Sequence, residues 1–277
     1  MTPSRTTPAD KRRAFRKLHE SGCFVIPNPW DAGGARYLQS LGFKALASTS
    51  SGAAWSQGLP DNGLSRGQVL EHLQHMAAAT DLPLNADFED GFAADAAGVG
   101  ESVRLAVETG IAGLSIEDSI RGESLYPLEI AVERLRAARR AIDAAGGDVM
   151  LIGRAECFLV GQPDIELTVT RLKAYAAAGA DCLYAPGIKS AAHIRATVDA
   201  VHPKPVNLLV GGPSDLSLAQ IAELGVRRVS VGGALARAAW GGFMSAARKI
   251  AEQGSFDGLA GAATHPAMNA LFENRGS

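Results

Sequence analysis

Residues 149–156 read Val149-Met150-Leu151-Ile152-Gly153-Arg154-Ala155-Glu156, a short apolar run that breaks abruptly into charge. Before it lies Ala131 to Ala144 (AVERLRAARRAIDA), with apolar residues at helical spacing, and after it Arg171 to Ala178 repeats that pattern. The run reads as a strand between two helices. Working outward, the same unit recurs along the chain, at Cys23–Ile26, Ala45–Ser48, Leu82–Ala86, Gly113–Ile116, Cys182–Ala185, Val206–Val210 and Val229–Gly232. Strands that alternate with helices pair in parallel through right-handed crossovers, and eight such units in one chain of this length predict a closed (β/α)8 TIM barrel rather than an open doubly wound sheet. Gly110 and Gly179, each just before a strand, suit the left-handed residue that ends a helix. No linker or change of composition divides the chain. The expectation is a single domain over 1–277, with residues 1–10 as a flexible N-terminus and a last helix within Gly258–Phe272.

The 277 residues are 47% hydrophobic and 20% charged, enough to bury a full core. A formal net charge of −2 and the lack of a basic run argue against nucleic acid and anionic membrane as partners. No apolar stretch approaches the roughly 20 residues that span a bilayer, and no apolar segment follows the N-terminal charges, so a cytoplasmic location is expected. Cys23, Cys157 and Cys182 lack any CxxC or Cys/His spacing and suggest neither a disulfide framework nor structural zinc. His72 and His75, three apart in the helical run Gly67–Ala79, have no nearby carboxylate and read as helix-surface residues.

In a parallel barrel the chemistry sits at the C-terminal strand ends. Here those ends are polar and acidic: Ser48-Thr49-Ser50-Ser51 with Asp61 beyond, then Asp87, Glu89 and Asp90, then Glu117 and Asp118, then Arg154 and Glu156, with Asn207 in the seventh strand. Carboxylates crowded at one mouth need a cation or a basic side chain among them. Mg2+ suits such oxygen donors, with water completing its octahedron, and Mn2+ is the alternative ion. Asp87 and Glu89, two apart at a strand end, would face the same way and address one ion. Asp31 precedes a helical run and reads as an N-cap, and Asn28 could reach the mouth. Arg154 reads either as a functional guanidinium or as a structural ion pair with Glu156 or Glu117. Gly232-Gly233 could hold an anion at a helix start, although helix packing explains them as well.

At these residues the chain resembles the isocitrate lyase and phosphoenolpyruvate mutase family. The resemblance runs from Phe24 to about Ala251 and is carried by Gly58-Leu59-Pro60-Asp61, Asp87-Phe88-Glu89-Asp90-Gly91-Phe92, Ser115-Ile116-Glu117-Asp118 and Arg154-Ala155-Glu156. It implies a phosphoenolpyruvate/pyruvate-type barrel whose last helix often swaps between subunits, giving a homodimer or homotetramer. By resemblance, Asp87 is the direct Mg2+ ligand, while Asp61, Glu89 and Glu117 hold the ion's waters. Asp61, Glu117 and Arg154 form the implied catalytic set. Ser48, Thr49, Ser50, Arg154 and Asn207 would bind a small carboxylate substrate, with Arg154 stabilising an enolate oxygen.

A 2-oxo acid chelating Mg2+ beside Arg154 would release an enolate more easily, whether by decarboxylation, retro-aldol or P–C chemistry. The departures narrow that range. Where the isocitrate and methylisocitrate lyases carry a cysteine loop, this chain reads Ser119-Ile120-Arg121-Gly122-Glu123-Ser124-Leu125-Tyr126-Pro127, and their glutamate after the sixth strand is Gly187 here. A phosphonomutase gate is missing from the same loop, whose Arg121 or Glu123 could close over the substrate. The expectation is therefore a Mg2+-dependent carbon–carbon lyase of oxaloacetate decarboxylase type. Phosphonate P–C chemistry and an inactive 2-oxo-acid-binding protein are the alternatives. Tyr126, Glu156 and Cys157 are the candidate proton donors.

Overall fold

The computed structural model describes residues 6–273. Its strands are β1 (Phe24–Ile26), β2 (Leu46–Ala47), β3 (Leu84–Asp87), β4 (Gly113–Glu117), β5 (Ser119–Ile120), β6 (Ser124–Leu125), β7 (Met150–Arg154), β8 (Cys182–Tyr184), β9 (Val206–Leu209) and β10 (Arg228–Ser230). Eight of them form one parallel sheet in the order β1-β10-β9-β8-β7-β4-β3-β2. Between the outer strands β2 and β1 the Ala47 amide donates to the Pro27 carbonyl at 3.0 Å, which brings the sheet to a nearly closed (β/α)8 barrel. All eight expected strands are present, each within about two residues of its apolar run. β5 and β6 add an antiparallel hairpin between β4 and the next helix, in the stretch Ser119–Pro127 expected to be a loop.

The helices begin where polar side chains accept the first free backbone amides: Asp31, Ser65, Asp95, Asp164 and Ser190 all do so. Asp31 is thus a cap, its carboxylate accepting from Gly34 N at 2.6 Å. Of the segment expected to be flexible, residues 1–5 lie outside the described residues. Pro8–Leu18 is a helix, with Thr7 and Asp10 forming a reciprocal capping box. That helix plugs the N-terminal mouth of the barrel. Phe15, fully buried, packs with Ile26, Ala45, Met150, Ile152 and Cys182 in the barrel interior. Lys11, Arg12 and Arg16 donate to carbonyls of Ala77, Ile111 and Asp148 at the same end.

The C-terminal helices are different. Ala234–Gln253 buries only Ala236 along its 20 residues and exposes Trp240, Phe243 and Met244. The expected last helix spans His265–Glu273 and lies against Ala32–Ser40, where a Cβ at Gly33 would come within 3.4 Å of Phe272. No helix among the described residues is long and apolar enough to cross a membrane.

Candidate active site

The C-terminal end of the barrel holds a cavity of about 140 Å3. Ser48 and Ser50 after β2, Asp61 in the following loop, Asp87 at the end of β3, Arg154 at the end of β7, and Tyr184, Asn207 and Ser230 on the last three strands all line it. Asp87 is held on three sides. Its amide donates to Ser48 Oγ at 2.8 Å, its Oδ2 accepts from Ser50 N at 3.1 Å, and its Oδ1 accepts from Arg154 Nη1 at 3.0 Å. Ser50 Oγ donates to Asp61 Oδ1 at 3.2 Å, which ties the loop carboxylate to the same group.

Arg154 answers the question of what offsets the clustered acids. Its Nη1 also pairs with Glu117 at 2.8 Å and its Nε with Glu156, while the guanidinium lies 5.0 Å from the Tyr184 ring centroid. Arg154 thus sits in an ion-pair network and also lines the cavity. One arginine does not neutralise all the acids. Burial, then Asp87 and Asp61, push Glu89 up to about 8. Burial and then Asp87 raise Asp61. Burial raises Glu117 well above the usual carboxylate range despite the guanidinium beside it, because Glu156, Asp87 and Glu89 add further negative charge.

Several expectations need correction. β3 ends at Asp87, and Glu89 follows in a turn with φ 45°, so strand alternation does not aim Asp87 and Glu89 together. Neither Glu89 nor Glu117 is on the cavity wall: Glu89 is buried with its carbonyl accepting from Glu117 N, and Glu117 sits behind Arg154. Among the described residues no three Asp, Glu, His or Cys side chains converge closely enough to ligate an ion directly. Asp118 turns away into a buried brace, bonded to Arg171 at 3.0 Å, to Tyr175 and to Glu156 N.

The candidate proton donors also lie elsewhere. Tyr126 donates to Asp90, Cys157 is buried with its thiol pushed up by burial, and Glu156 lies beneath Arg154. Thr49 caps the helix Ser50–Ser56 and lines the cavity with its neighbours. Asn28 does reach the site, donating to Ser48 O and accepting from the Val231 and Gly232 amides. Gly233 packs so closely that a Cβ would fall 2.8 Å from Ser51 Oγ. From the β5–β6 hairpin, Arg121 donates to the carbonyl of Asn62, next to Asp61 of the cavity wall, at 3.1 Å. Sequence reasoning missed Asn85, Ser115, Tyr184, Arg228 and Ser230, all of which line the cavity. The available signal was a polar or aromatic residue on the inward side of an otherwise apolar run.

Three comparisons bear on this site. The model of the phosphoenolpyruvate phosphomutase family matches residues 15–251. The sequence is 30% identical over 231 residues to an oxaloacetate decarboxylase of Paraburkholderia xenovorans, covering 80% of this chain and 75% of that one. It is 31% identical over 201 residues to 2-methylisocitrate lyase of Escherichia coli K12, covering 68% and 66%. Among solved structures, a Burkholderia cenocepacia J2315 protein provisionally described as a lyase/mutase shares 46% identity with a TM-score of 0.93, covering 97% of this chain and 98% of that one.

Proposed function

Because the chain belongs to the phosphoenolpyruvate phosphomutase family, within the phosphoenolpyruvate mutase/isocitrate lyase superfamily, we propose that it is a Mg2+-dependent carbon–carbon lyase. Its substrate is a small 2-oxo or 2-hydroxy carboxylate, and oxaloacetate decarboxylation is the simplest case. The observation that carries this reading is Asp87, which meets the cavity beside Arg154 Nη1, the Ser50 amide and Asp61. An oxygen-only set with two carboxylates at the wall, Asp61 and Asp87, and further acids behind them fits a hard cation that keeps most of its water. The raised carboxyls of Asp61 and Glu89 mark negative charge that such a cation would offset. When bound, Mg2+ supplies positive charge beside the substrate's oxygens.

The chain's own residues do the rest. Ser48, Thr49 and Ser50 line the cavity with hydroxyl and amide groups suited to a carboxylate. Arg154, always charged and fixed by three acids, presents its guanidinium where negative charge develops on a 2-oxo oxygen as the adjacent carbon–carbon bond breaks. Tyr184, whose hydroxyl burial pushes up to about 12, keeps its proton at neutral pH and is the wall group able to return one to the enolate carbon. The exposed apolar side of Ala234–Gln253 supports a homo-oligomer, dimer or tetramer.

A turnover screen against oxaloacetate, substituted malates, citrate-type acids and phosphonopyruvate tests the proposal. Release of pyruvate or glyoxylate from a carbon acid supports it. Phosphate from phosphonopyruvate moves the reading to P–C chemistry, and binding without turnover makes the chain a 2-oxo-acid-binding protein.

A further inference from the structure

The inner end of the same cavity holds a second cation. Arg228 opens β10, is 2% exposed, and lines the cavity below Ser230. Every partner it has is neutral. Its Nε donates to Asn207 Oδ1 at 2.9 Å and its Nη1 to Asn85 Oδ1 at 3.3 Å. His19 Nε2 lies 3.5 Å from Nη1, and because His19 Nδ1 is bonded to Phe15 O at 2.8 Å, the ring presents its lone pair rather than a proton. Among the described residues Nη2 makes no hydrogen bond and no carboxylate pairs with this guanidinium.

No acid of the site lies within pairing distance of Arg228 among the described residues. Asp87, Glu117 and Glu156 pair with Arg154, Asp118 pairs with Arg171, Asp61 is held by Ser50 Oγ and Asn62 N, and Glu89 lies off the cavity wall. A buried charge without a counter-charge is strongly unfavourable, and arginine cannot escape by losing its proton. The solvent route to Arg228 is the cavity itself, so the counter-charge has to arrive with what the cavity binds.

We propose that the floor formed by Arg228, Asn207, Asn85 and Ser230 is an anion subsite that takes a second carboxylate of the substrate. The proposal rests on the lyase reading only in assuming that the first carboxylate binds near Asp87 and Arg154. The geometry sets the length of the acid. Arg228 and Asn85 each lie two residues below a wall group, Ser230 and Asp87, a step of about 7 Å along a strand. That step, in a cavity of about 140 Å3, suits a dicarboxylate of four or five carbons. A monocarboxylate would leave Arg228 unanswered, so the subsite selects dianions.

Calorimetric titration with malate and with lactate, in Mg2+, tests this, since both are 2-hydroxy acids and only malate carries the second carboxylate. The native protein should bind malate at least tenfold more tightly. Arg228→Met should cut that preference below threefold while leaving lactate affinity within twofold, and Arg228→Lys should keep part of it. Equal affinities in the native protein, or a full malate preference in Arg228→Met, would overturn the subsite. Should Arg228→Met not fold, the native ratio and a greater rise in native melting temperature with malate than with lactate decide alone. A malate preference without turnover of any acid keeps the subsite and sinks the lyase reading. Turnover with a ratio near one does the reverse, and binding of neither acid overturns both.

Discussion

Replacing Arg154 by Met removes the one guanidinium shared by Asp87, Glu117 and Glu156, with Nη1 at 3.0 Å and 2.8 Å from the first two. The side chain is 13% exposed, so solvent screens these pairs weakly. Breaking a buried pair by deleting one partner costs about 3–5 kcal/mol, because the other charge stays buried and unpaired. Each kcal/mol moves the midpoint by roughly 2–4 °C in a domain of this size, so the melting temperature at pH 8 should fall by roughly 6–20 °C. The deficit has a sign in pH. Without Arg154 the buried carboxyls of Glu117 and Glu156, which burial already raises and the guanidinium lowers, titrate higher still in the folded than in the unfolded state, so the folded state holds more protons and stability falls as pH rises. The gap between variant and native should therefore be widest at pH 8 and narrow toward pH 5. Thermal melts across that range, without divalent cation, are the assay. A variant within 1 kcal/mol of native at pH 8, or a gap that widens on acidification, refutes the reasoning.

Three further outcomes follow from the same structure. Glu89, raised to about 8, should make the cation-free native protein lose stability between pH 4.5 and pH 8, by at most about 1.4 kcal/mol per unit; Mg2+ should flatten that slope, and a slope unchanged by Mg2+ in thermal melts argues against a cation near Glu89. His19 works in the opposite direction: burial and Arg228 push it down to about 3, so stability falls as pH drops below about 6.5, and His19→Gln should remove that component from an acid melt series. Phe15→Ala, at a fully buried plug residue, should cost about 3–5 kcal/mol in urea denaturation; a loss below 1 kcal/mol would mean that the N-terminal helix is not part of the cooperative core.

The architecture was legible because each strand is a short apolar run bounded by polar residues or glycine, as in Val149–Gly153, and because β-to-α alternation allows few topologies. Helix caps such as Asp31 were equally plain. The N-terminal helix was just as readable, since Thr7-Pro8-Ala9-Asp10 is a capping box with proline at its first turn, yet it hid within a segment set aside as a tail. The two-residue strands β5 and β6 leave no periodicity to detect. In the site, the acids at strand ends announced themselves, but which of them face the cavity did not. Asp118 is diverted by Arg171, 53 residues further on and on a helix face, a pairing that no local pattern encodes. Arg228 and Asn85 carry no such signal, because neither follows an apolar run: Asn85 sits within β3 and Arg228 is the first residue of β10.

If, as proposed, one cation held at Asp87 beside Arg154 makes a carbon–carbon bond of a small acid cleavable, then turnover and Mg2+ binding must fail together in Asp87→Asn, and the two should be measured side by side in that variant and the native protein. The native protein should release pyruvate from oxaloacetate or a related acid in Mg2+, lose that activity on chelation and regain it on adding Mg2+ back. Asp87→Asn should lose both binding and turnover while keeping its fold by circular dichroism. Undiminished Mg2+ affinity in Asp87→Asn, or native turnover indifferent to chelation, would contradict it.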